Sequence, residues 1–257
     1  MISAGDPVNF TIDDQRVVVN MPNLASLLNA VQVRLATGCG FSLATINLDH
    51  LVKLRKSPTF LRAYLAQDFV VADGNPIVWL SRLSGQPVDL VPGSDLVLPL
   101  CQIAAKMALP VVFIGSTREA LDGAEDALLQ RFPNLKIAQK ISPPMGFDPQ
   151  GPDAENLIAG LKSLGPGMCF FALGAPKQEI LAARARIIAP QMGFASIGAG
   201  LDFLSGHQVR APIWVRTLAL EWLWRALSAP RRLIPRYAAC AAILPSEVWA
   251  ALRQRQT

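Results

Sequence analysis

The sequence predicts an α/β fold with a Rossmann-like, mostly parallel sheet, helices on both of its faces, and a C-terminal helical appendage. Short apolar runs alternate with helix-forming segments between residues 41 and 198. These runs are apolar from end to end, which is typical of parallel strands that helices cover on both faces. The appendage is predicted from a change in charge near residue 203.

That change divides the chain into two parts. Residues 1–202 contain 16 Lys and Arg against 17 Asp and Glu, whereas residues 203–257 contain eight arginines, no lysine and two acids. Four of the five tryptophans lie among these arginines. We therefore predict an α/β core over residues 1–206 and a basic, amphipathic, membrane-associating helical appendage over residues 207–257.

The composition limits where the protein can act. The longest apolar run near the C-terminus, residues 237–244, has eight residues, far fewer than the roughly 20 that a membrane-spanning helix needs. Acids rather than a basic and then apolar segment occupy the N-terminus, so no signal peptide is predicted. We expect a cytoplasmic protein that is attached peripherally to the inner face of the cell membrane.

Cysteine and histidine usage gives no indication of a metal or a disulfide. The four cysteines are far apart in the sequence and form no CxxC pair, so free thiols are expected. The two histidines, His50 and His207, have no metal-ligand spacing, and no metal site is predicted. His50 is expected to be a packed or surface residue rather than a catalytic one.

The elements before the third core strand are predicted from turn residues and caps. Residues 8–20 are expected to form a hairpin, and Asn23 is expected to cap the helix that follows it. After the first core strand, one helix bent at Pro58 is expected, and residues 74–83 are predicted to be helical.

Caps also place the later helices. Ser94 is predicted to cap a helix that ends near residue 107, and Ser116 with Glu119 matches a capping box. Pro176 is expected in the first turn of a helix. The predicted core strands are residues 41–46, 69–72, 110–114, 135–138, 168–173 and 192–197.

Ligands of open α/β sheets bind outside the carboxyl ends of the strands, so the residues that follow each strand are the first candidates. Three of these strand ends are glycine-led turns, at Gly115, Gly174 and Gly198. Their N–H groups, at the start of a helix, would suit a phosphate or diphosphate. The sequence lacks three common motifs: the glycine fingerprint of a classical dinucleotide site, the lysine motif of a phosphate-binding loop, and the nucleophile elbow that contains a serine.

Asp73 is the most informative single residue, because it directly follows an apolar strand and precedes a glycine. A general base with a partly desolvated carboxylate and a helix-capping or turn aspartate are equally compatible with that position. The sequence position alone leaves both interpretations open.

Several short motifs recur in order along the chain. They are Thr45-Ile46-Asn47, Ala72-Asp73-Gly74, Val91-Pro92-Gly93-Ser94-Asp95-Leu96, Phe113-Ile114-Gly115, Gly174-Ala175-Pro176-Lys177-Gln178-Glu179, Gly198-Ala199-Gly200-Leu201-Asp202-Phe203-Leu204-Ser205-Gly206, Arg210-Ala211-Pro212, Leu220-Glu221-Trp222-Leu223 with Arg225, and Pro230-Arg231-Arg232. In order and spacing, over residues 8–240, this set resembles the WecG/TagA/CpsF family of bacterial glycosyltransferases (glycosyltransferase family 26).

The resemblance implies a hexosyltransferase that acts with inversion in bacterial surface or exopolysaccharide synthesis. It would move a sugar from a UDP-sugar to a polyprenyl-diphosphate-linked sugar at the anionic inner membrane surface. The donor would be of the N-acetylmannosamine type or UDP-glucose. The resemblance also implies no cofactor, no required metal, and an appendage that reaches the membrane and helps to complete the active site.

Residue by residue, the resemblance assigns the proposed general base to Asp73 and pocket positions to Thr45, Asn47 and Gln178. We add the other polar and glycine positions at the strand ends as substrate-binding candidates: Gly115, Ser116, Gly174, Lys177 and Asp202. The candidates for contact with the acceptor diphosphate or the membrane are the tail arginines Arg210, Arg216, Arg225, Arg231, Arg232 and Arg236. Leu90 departs from the family, since many members have an arginine at this position.

Two other classes of function stay open at this point. A nucleotide-dependent oxidoreductase or methyltransferase would also use a Rossmann-like sheet, although the glycine fingerprint is missing. A non-catalytic peripheral membrane-binding module would keep the fold and the tail. Nucleic acid is not an expected partner, because no nucleic-acid-binding signature accompanies the arginines. A homo-oligomer is compatible with the sequence.

Overall fold

The centre of the fold is a six-stranded parallel sheet, seen in a computed structural model that describes residues 7–208, 212, 215, 222–224 and 230–255. The strands lie in the order β4-β3-β8-β7-β5-β6, and a separate two-stranded hairpin precedes them. The strands are β1 (Asn9–Ile12), β2 (Gln15–Val18), β3 (Phe41–Ile46), β4 (Phe69–Ala72), β5 (Pro110–Gly115), β6 (Lys136–Ile141), β7 (Gly167–Ala172) and β8 (Met192–Ser196). The predicted fold class is confirmed.

Helices cover both faces of the sheet. They are α1 (Leu24–Ala36), α2 (Leu48–Leu54), α3 (Pro58–Leu65), α4 (Asn75–Leu83), α5 (Gly93–Lys106), α6 (Arg118–Arg131), α7 (Pro152–Leu164), α8 (Lys177–Ile188), α9 (Gly200–Leu204) and α10 (Pro230–Gln254). In β7, Met168 and Phe170 pack with α1, α5 and α6, whereas Cys169 and Phe171 pack with α7 and α8. This period of two, with every residue apolar, is what a strand buried on both faces requires.

Three predicted helix starts are wrong, two of them because a different residue caps the helix and one because the helix has no side-chain cap. The single helix bent at Pro58 is two helices, since the Oγ of Ser57 accepts the Phe60 N–H at 3.2 Å and starts α3. The cap of α6 is Thr117, not Ser116. The helix predicted to be capped by Ser94 already begins at Gly93, and it has no side-chain cap.

The C-terminal helix α10 packs against the core beside α2 and α4. Cys240 and Ala251 are buried there in a cluster that also contains residues of α2, α3, α4 and the hairpin. Gln254 donates to the carbonyl of Asn9 at 2.7 Å, and Glu247 pairs with Arg55. The predicted domain boundary at residue 206 stays a prediction.

None of the helices in the described part of the chain is long and apolar enough to cross a bilayer. The helix α10 has 25 residues and continues through Pro235 and Pro245. Arginines and other polar residues interrupt its apolar positions.

Candidate active site

Asp73 lies at the carboxyl end of β4, directly beside the end of the neighbouring strand β3. Its backbone N–H donates to the carbonyl of Ile46 at 2.7 Å. Its Oδ2 is 3.4 Å from the Oγ1 of Thr45 and 3.5 Å from the Nδ2 of Asn47. Both donors are at the long limit for hydrogen bonds, so they orient the half-buried carboxylate while binding it weakly. The structure therefore brings Asp73, Thr45 and Asn47 together.

Asp73 is not the N-cap residue of the helix that follows it. The helix α4 has Gly74 as its N-cap residue and no side-chain cap. Gly74 has a φ of 117°, a region that favours glycine, and it stands between Asp73 and the first residue of the helix. The interpretation of Asp73 as the N-cap residue is wrong, whereas the general base and the turn aspartate both stay open. Asn47 is the residue that caps, because its Oδ1 accepts the His50 N–H at 3.0 Å at the start of α2.

Two buried side chains, His50 and Tyr64, contact the backbone at the carboxyl end of β3. The Nδ1 of His50 lies 2.7 Å from the carbonyl oxygen of Thr45 and 2.8 Å from the hydroxyl of Tyr64, which itself donates to the same carbonyl. Burial lowers the pKa of His50 to about 4, so the imidazole is neutral at pH 7. His50 is thus packed in the interior, as expected, and fixes the backbone at Thr45.

The turn between β7 and α8 is joined to the end of β8 by Gln178. This side chain is only 2% exposed. Its Oε1 accepts the Gly198 N–H at 3.1 Å, and its Nε2 donates to the Oε1 of Glu179 at 2.8 Å. Gln178 therefore links two of the three glycine-led turns.

Glu179 is completely buried, and its Oε2 has no hydrogen-bond partner. Burial raises the pKa of Glu179 to about 7, because the charged form loses its hydration. The carboxyl group lies under the turn and not on its outer surface.

Ser116 and Asp202 form a second cluster at the carboxyl end of β5. The hydroxyl of Ser116 donates to the Oδ1 of Asp202, and the Nε2 of Gln208 donates to its Oδ2 at 2.9 Å. Three strand intervals separate β5 from β3 and four separate it from β4, which at about 4.8 Å per strand places this cluster roughly 14–19 Å from Asp73. The structure therefore does not bring Ser116 and Asp202 to the Asp73 cluster, although both clusters lie at the carboxyl ends of the strands.

Gly115 allows the backbone of β5 to pass very close to β7. A Cβ atom at this position would lie 2.4 Å from the carbonyl carbon and oxygen of Ala172, and its φ is 119°. Gly115 therefore has a structural role at the position predicted for substrate binding. Gly174 is exposed and Lys177 is half-buried, at the outer side of the turn that contains Gln178.

The sequence matches a family model described as "Glycosyl transferase WecG/TagA/CpsF family" over residues 13–257. The chain belongs to this family. The resemblance seen in the ordered motifs is thereby confirmed, and membership favours sugar transfer over the oxidoreductase and methyltransferase alternatives.

Two Bacillus proteins named N-acetylglucosaminyldiphosphoundecaprenol N-acetyl-beta-D-mannosaminyltransferase are similar to the chain. The one from Bacillus subtilis (strain 168) is 27% identical over 206 residues, which cover 77% of this chain and 78% of that protein. The one from Bacillus spizizenii (strain ATCC 23059 / NRRL B-14472 / W23) is 28% identical over 205 residues, covering 77% of each.

Only some of the tail arginines lie among the residues that the structure describes. Arg210, Arg216 and Arg225 lie outside the described residues, as does the side chain of Arg232. Arg231 is exposed in the first turn of α10. Arg236 faces the core, where its Nε lies 2.8 Å from the Oδ1 of Asp49.

Several residues around the site had no role in the sequence interpretation. Tyr64, Lys53 and Asp49 lie on helices α2 and α3, where nothing in the sequence separates them from ordinary helix residues. Glu179 is part of the Gly174–Glu179 motif and follows the predicted pocket residue Gln178 directly. This position next to Gln178 is the feature of the sequence from which a role for Glu179 could have been predicted. Among the described residues, no group of three or more His, Cys, Asp or Glu side chains is arranged to bind a metal ion.

Proposed function

We propose that the protein is an inverting hexosyltransferase that uses a UDP-sugar, with Asp73 as its general base. The observation that carries this proposal is the position of the Asp73 carboxylate. It is half-buried at the carboxyl end of a parallel strand, directly precedes the N-cap residue of α4, and has one oxygen facing the donors on Thr45 and Asn47. The other oxygen would face the acceptor.

In this mechanism a single displacement makes and breaks the glycosidic bonds. An Asp73 oxygen takes the proton from the acceptor hydroxyl while the hydroxyl oxygen attacks the anomeric carbon. The bond from that carbon to the diphosphate oxygen breaks, and UDP leaves with the electron pair. One carboxylate is enough for this reaction, whereas retention by double displacement would need a second carboxylate as nucleophile about 5 Å away.

The names of the two Bacillus relatives support the choice of sugars and the stereochemistry. Both specify a β-linked N-acetylmannosamine product on a diphosphoundecaprenol-linked N-acetylglucosamine. A β bond made from an α-linked nucleotide sugar requires one inversion. We therefore propose UDP-N-acetylmannosamine as the first donor to test, ahead of its uronic acid and UDP-glucose, and a polyprenyl-diphosphate-linked N-acetylglucosamine as the acceptor.

The negative charge that grows on the leaving UDP needs stabilisation. We assign this to backbone N–H groups of the Gly174 and Gly198 turns other than the Gly198 N–H, which donates to Gln178, with Lys177 and arginines of the tail as the cations. Arginine suits this task because its guanidinium can donate two parallel hydrogen bonds to a diphosphate. The proposal is therefore transfer without a metal ion.

The outer side of α10 supports a membrane-facing appendage. Ile234, Trp249 and Leu252 are exposed there at 59%, 57% and 43%, and Trp222 and Leu223 are exposed nearby at 50% and 39%. Exposed arginines stand at both ends of the helix, at positions 231, 253 and 255. Apolar and aromatic side chains beside arginines are typical of helices that lie in the interface of an anionic membrane.

UDP release by the full-length protein tests the catalytic proposal. The assay combines each of the three donors with the lipid-linked acceptor, and the expected result is turnover with one donor that depends on the acceptor. If no donor is turned over while the protein still binds anionic vesicles, the chain is the non-catalytic membrane module. Thermal shifts with UDP, NADH and S-adenosylmethionine separate the remaining enzyme classes, and stabilisation by UDP alone is expected.

Vesicle flotation tests the membrane surface. A Trp249→Ser, Leu252→Ser variant is expected to lose most binding to phosphatidylglycerol vesicles. Val33→Ser is the matched control, because Val33 is as exposed as Trp249, at 57%, but lies on α1. Equal binding by the double variant and the wild type would exclude this face of α10 as the membrane contact.

A further inference from the structure

A continuous line of charged groups runs from the C-terminal helix to the turn that contains Gln178. On α10, the Nε of Arg236 lies 2.8 Å from the Oδ1 of Asp49 on α2. The other carboxylate oxygen of Asp49 lies 2.8 Å from the Nζ of Lys53, one helical turn further on. The Nζ of Lys53 in turn donates to the carbonyl of Ala175 at 3.1 Å.

The members of this line depend on one another. Asp49 is only 7% exposed and contacts two cations, whereas the Lys53 and Arg236 side chains are 36% and 37% exposed. A buried carboxylate that loses one of its cations is poorly compensated, so the remaining cation is drawn towards it. If Arg236 leaves, Lys53 is therefore held more strongly by Asp49 and its ammonium group is less available to Ala175.

Ala175 lies in the middle of a turn whose position matters for the site. The Gln178 N–H donates to the Gly174 carbonyl at 3.2 Å across this turn, and the Gln178 side chain accepts the Gly198 N–H. A shift of the Ala175 carbonyl would therefore move Gln178 and, through it, the turn after β8. Lys53 provides a charged link from this turn to α2, the helix beside α10, in addition to the apolar packing of Ala175.

We propose that Lys53 is a positioning residue that couples the seating of α10, through Asp49, to the order of the 174–178 turn. The turn is then fully ordered only while Arg236 is in place. The catalytic consequence rests on the function proposed above, since the turn would contact the diphosphate of the donor. The structural coupling itself does not depend on which substrate is used.

Hydrogen–deuterium exchange on the full chain tests the coupling without any substrate. In Lys53→Met, which keeps an unbranched apolar stem, exchange in the peptide over residues 174–181 should be about tenfold faster, as expected for the loss of a hydrogen bond from a charged donor. Lys56→Met is the matched control, because Lys56 is exposed just beyond the same helix. Exchange in this peptide that stays at the wild-type rate in Lys53→Met would overturn the proposal.

A second control separates this coupling from general loosening of α10. Glu247→Gln weakens the pair with Arg55, which fastens the same helix through residues that are not part of the Arg236–Asp49–Lys53 line. It is expected to speed exchange in residues 245–255 and to leave the 174–181 peptide unchanged. Equal acceleration of the 174–181 peptide in Glu247→Gln and Lys53→Met would show that no specific link through Lys53 exists.

The kinetic test asks whether Arg236 acts through Lys53. If it does, Arg236→Met raises the donor KM about tenfold in the wild type and has little further effect in Lys53→Met, which is the non-additivity expected of residues in one network. If Arg236 contacts the substrate directly, the two effects multiply and the coupling is refuted. Absence of turnover in the wild type would count against the proposed function. Exchange in the 174–181 peptide of Arg236→Met would still decide the coupling: faster exchange than in the wild type supports it, and the wild-type rate would overturn it.

Discussion

The buried carboxyl group of Glu179 should make the stability of the protein depend on pH in a way that one isosteric substitution removes. Glu179 is completely buried with one oxygen unpartnered, and burial raises its pKa from 4.5 to about 7. Because the folded chain holds this proton more tightly than the unfolded chain, raising the pH from 4.5 towards 7 deprotonates the unfolded chain first. The free energy of unfolding therefore falls over this range and then levels off.

The size of the effect follows from the two pKa values. A shift from 4.5 to about 7 corresponds to about 3 kcal/mol at about 1.4 kcal/mol per pKa unit, and about 2.5 kcal/mol of this is lost between pH 5 and pH 8. In Glu179→Gln the amide oxygen can still accept from the Nε2 of Gln178, but the group does not titrate.

Urea denaturation of the wild type and Glu179→Gln at pH 5, 6, 7 and 8 measures this difference. The stability of the variant relative to the wild type should rise with pH by about 2.5 kcal/mol from pH 5 to pH 8, with other titrating groups cancelling in the comparison. A stability difference that is the same at all four pH values would refute the reasoning, because Glu179 would then ionise alike in the folded and unfolded chains.

Three further results are expected. Gly115→Ala should cost about 3 kcal/mol or more, measured by thermal melting, because its Cβ would overlap the Ala172 carbonyl at a φ of 119°; an unchanged melting temperature would contradict this. Ser116→Ala should raise the donor KM about threefold to tenfold while kcat changes less, because it removes the hydroxyl that orients Asp202; a fall in kcat alone would be inconsistent with a binding role. Transfer should persist in excess EDTA, and loss of activity that Mg²⁺ or Mn²⁺ restores would disprove metal-independent transfer.

The arrangement of the sheet was predictable because it depends on local composition. A strand such as β7 contains only apolar residues and glycine, and that pattern has few alternatives to burial between two layers of helices. Asp73, Thr45 and Asn47 could be predicted to lie together, since the carboxyl ends of parallel strands meet at one edge. Helix starts were less predictable, because adjacent residues such as Ser116 and Thr117 are equally good caps until the backbone selects one.

Other contacts join residues that are far apart in the sequence, and these could not be predicted. Lys53 reaches Ala175 across 122 residues, and Asn9 contacts Gln254 across 245. Nothing local in the sequence marks such pairs, because each residue is ordinary for the helix or strand on which it lies. The roles of Gln178 and Glu179 were likewise hidden, since the motif that contains them does not reveal that both side chains are buried.

The rate of transfer by Asp73→Asn tests the central claim most directly. Asparagine keeps the size of the side chain and one oxygen acceptor but cannot take a proton at pH 7. With the lipid-linked acceptor and the preferred donor, kcat should fall by about 10²- to 10⁴-fold with the donor KM nearly unchanged. Asp89→Asn, an exposed aspartate in the loop after α4, is the matched control and should retain wild-type activity. Full turnover by Asp73→Asn would contradict the assignment of Asp73 as the general base.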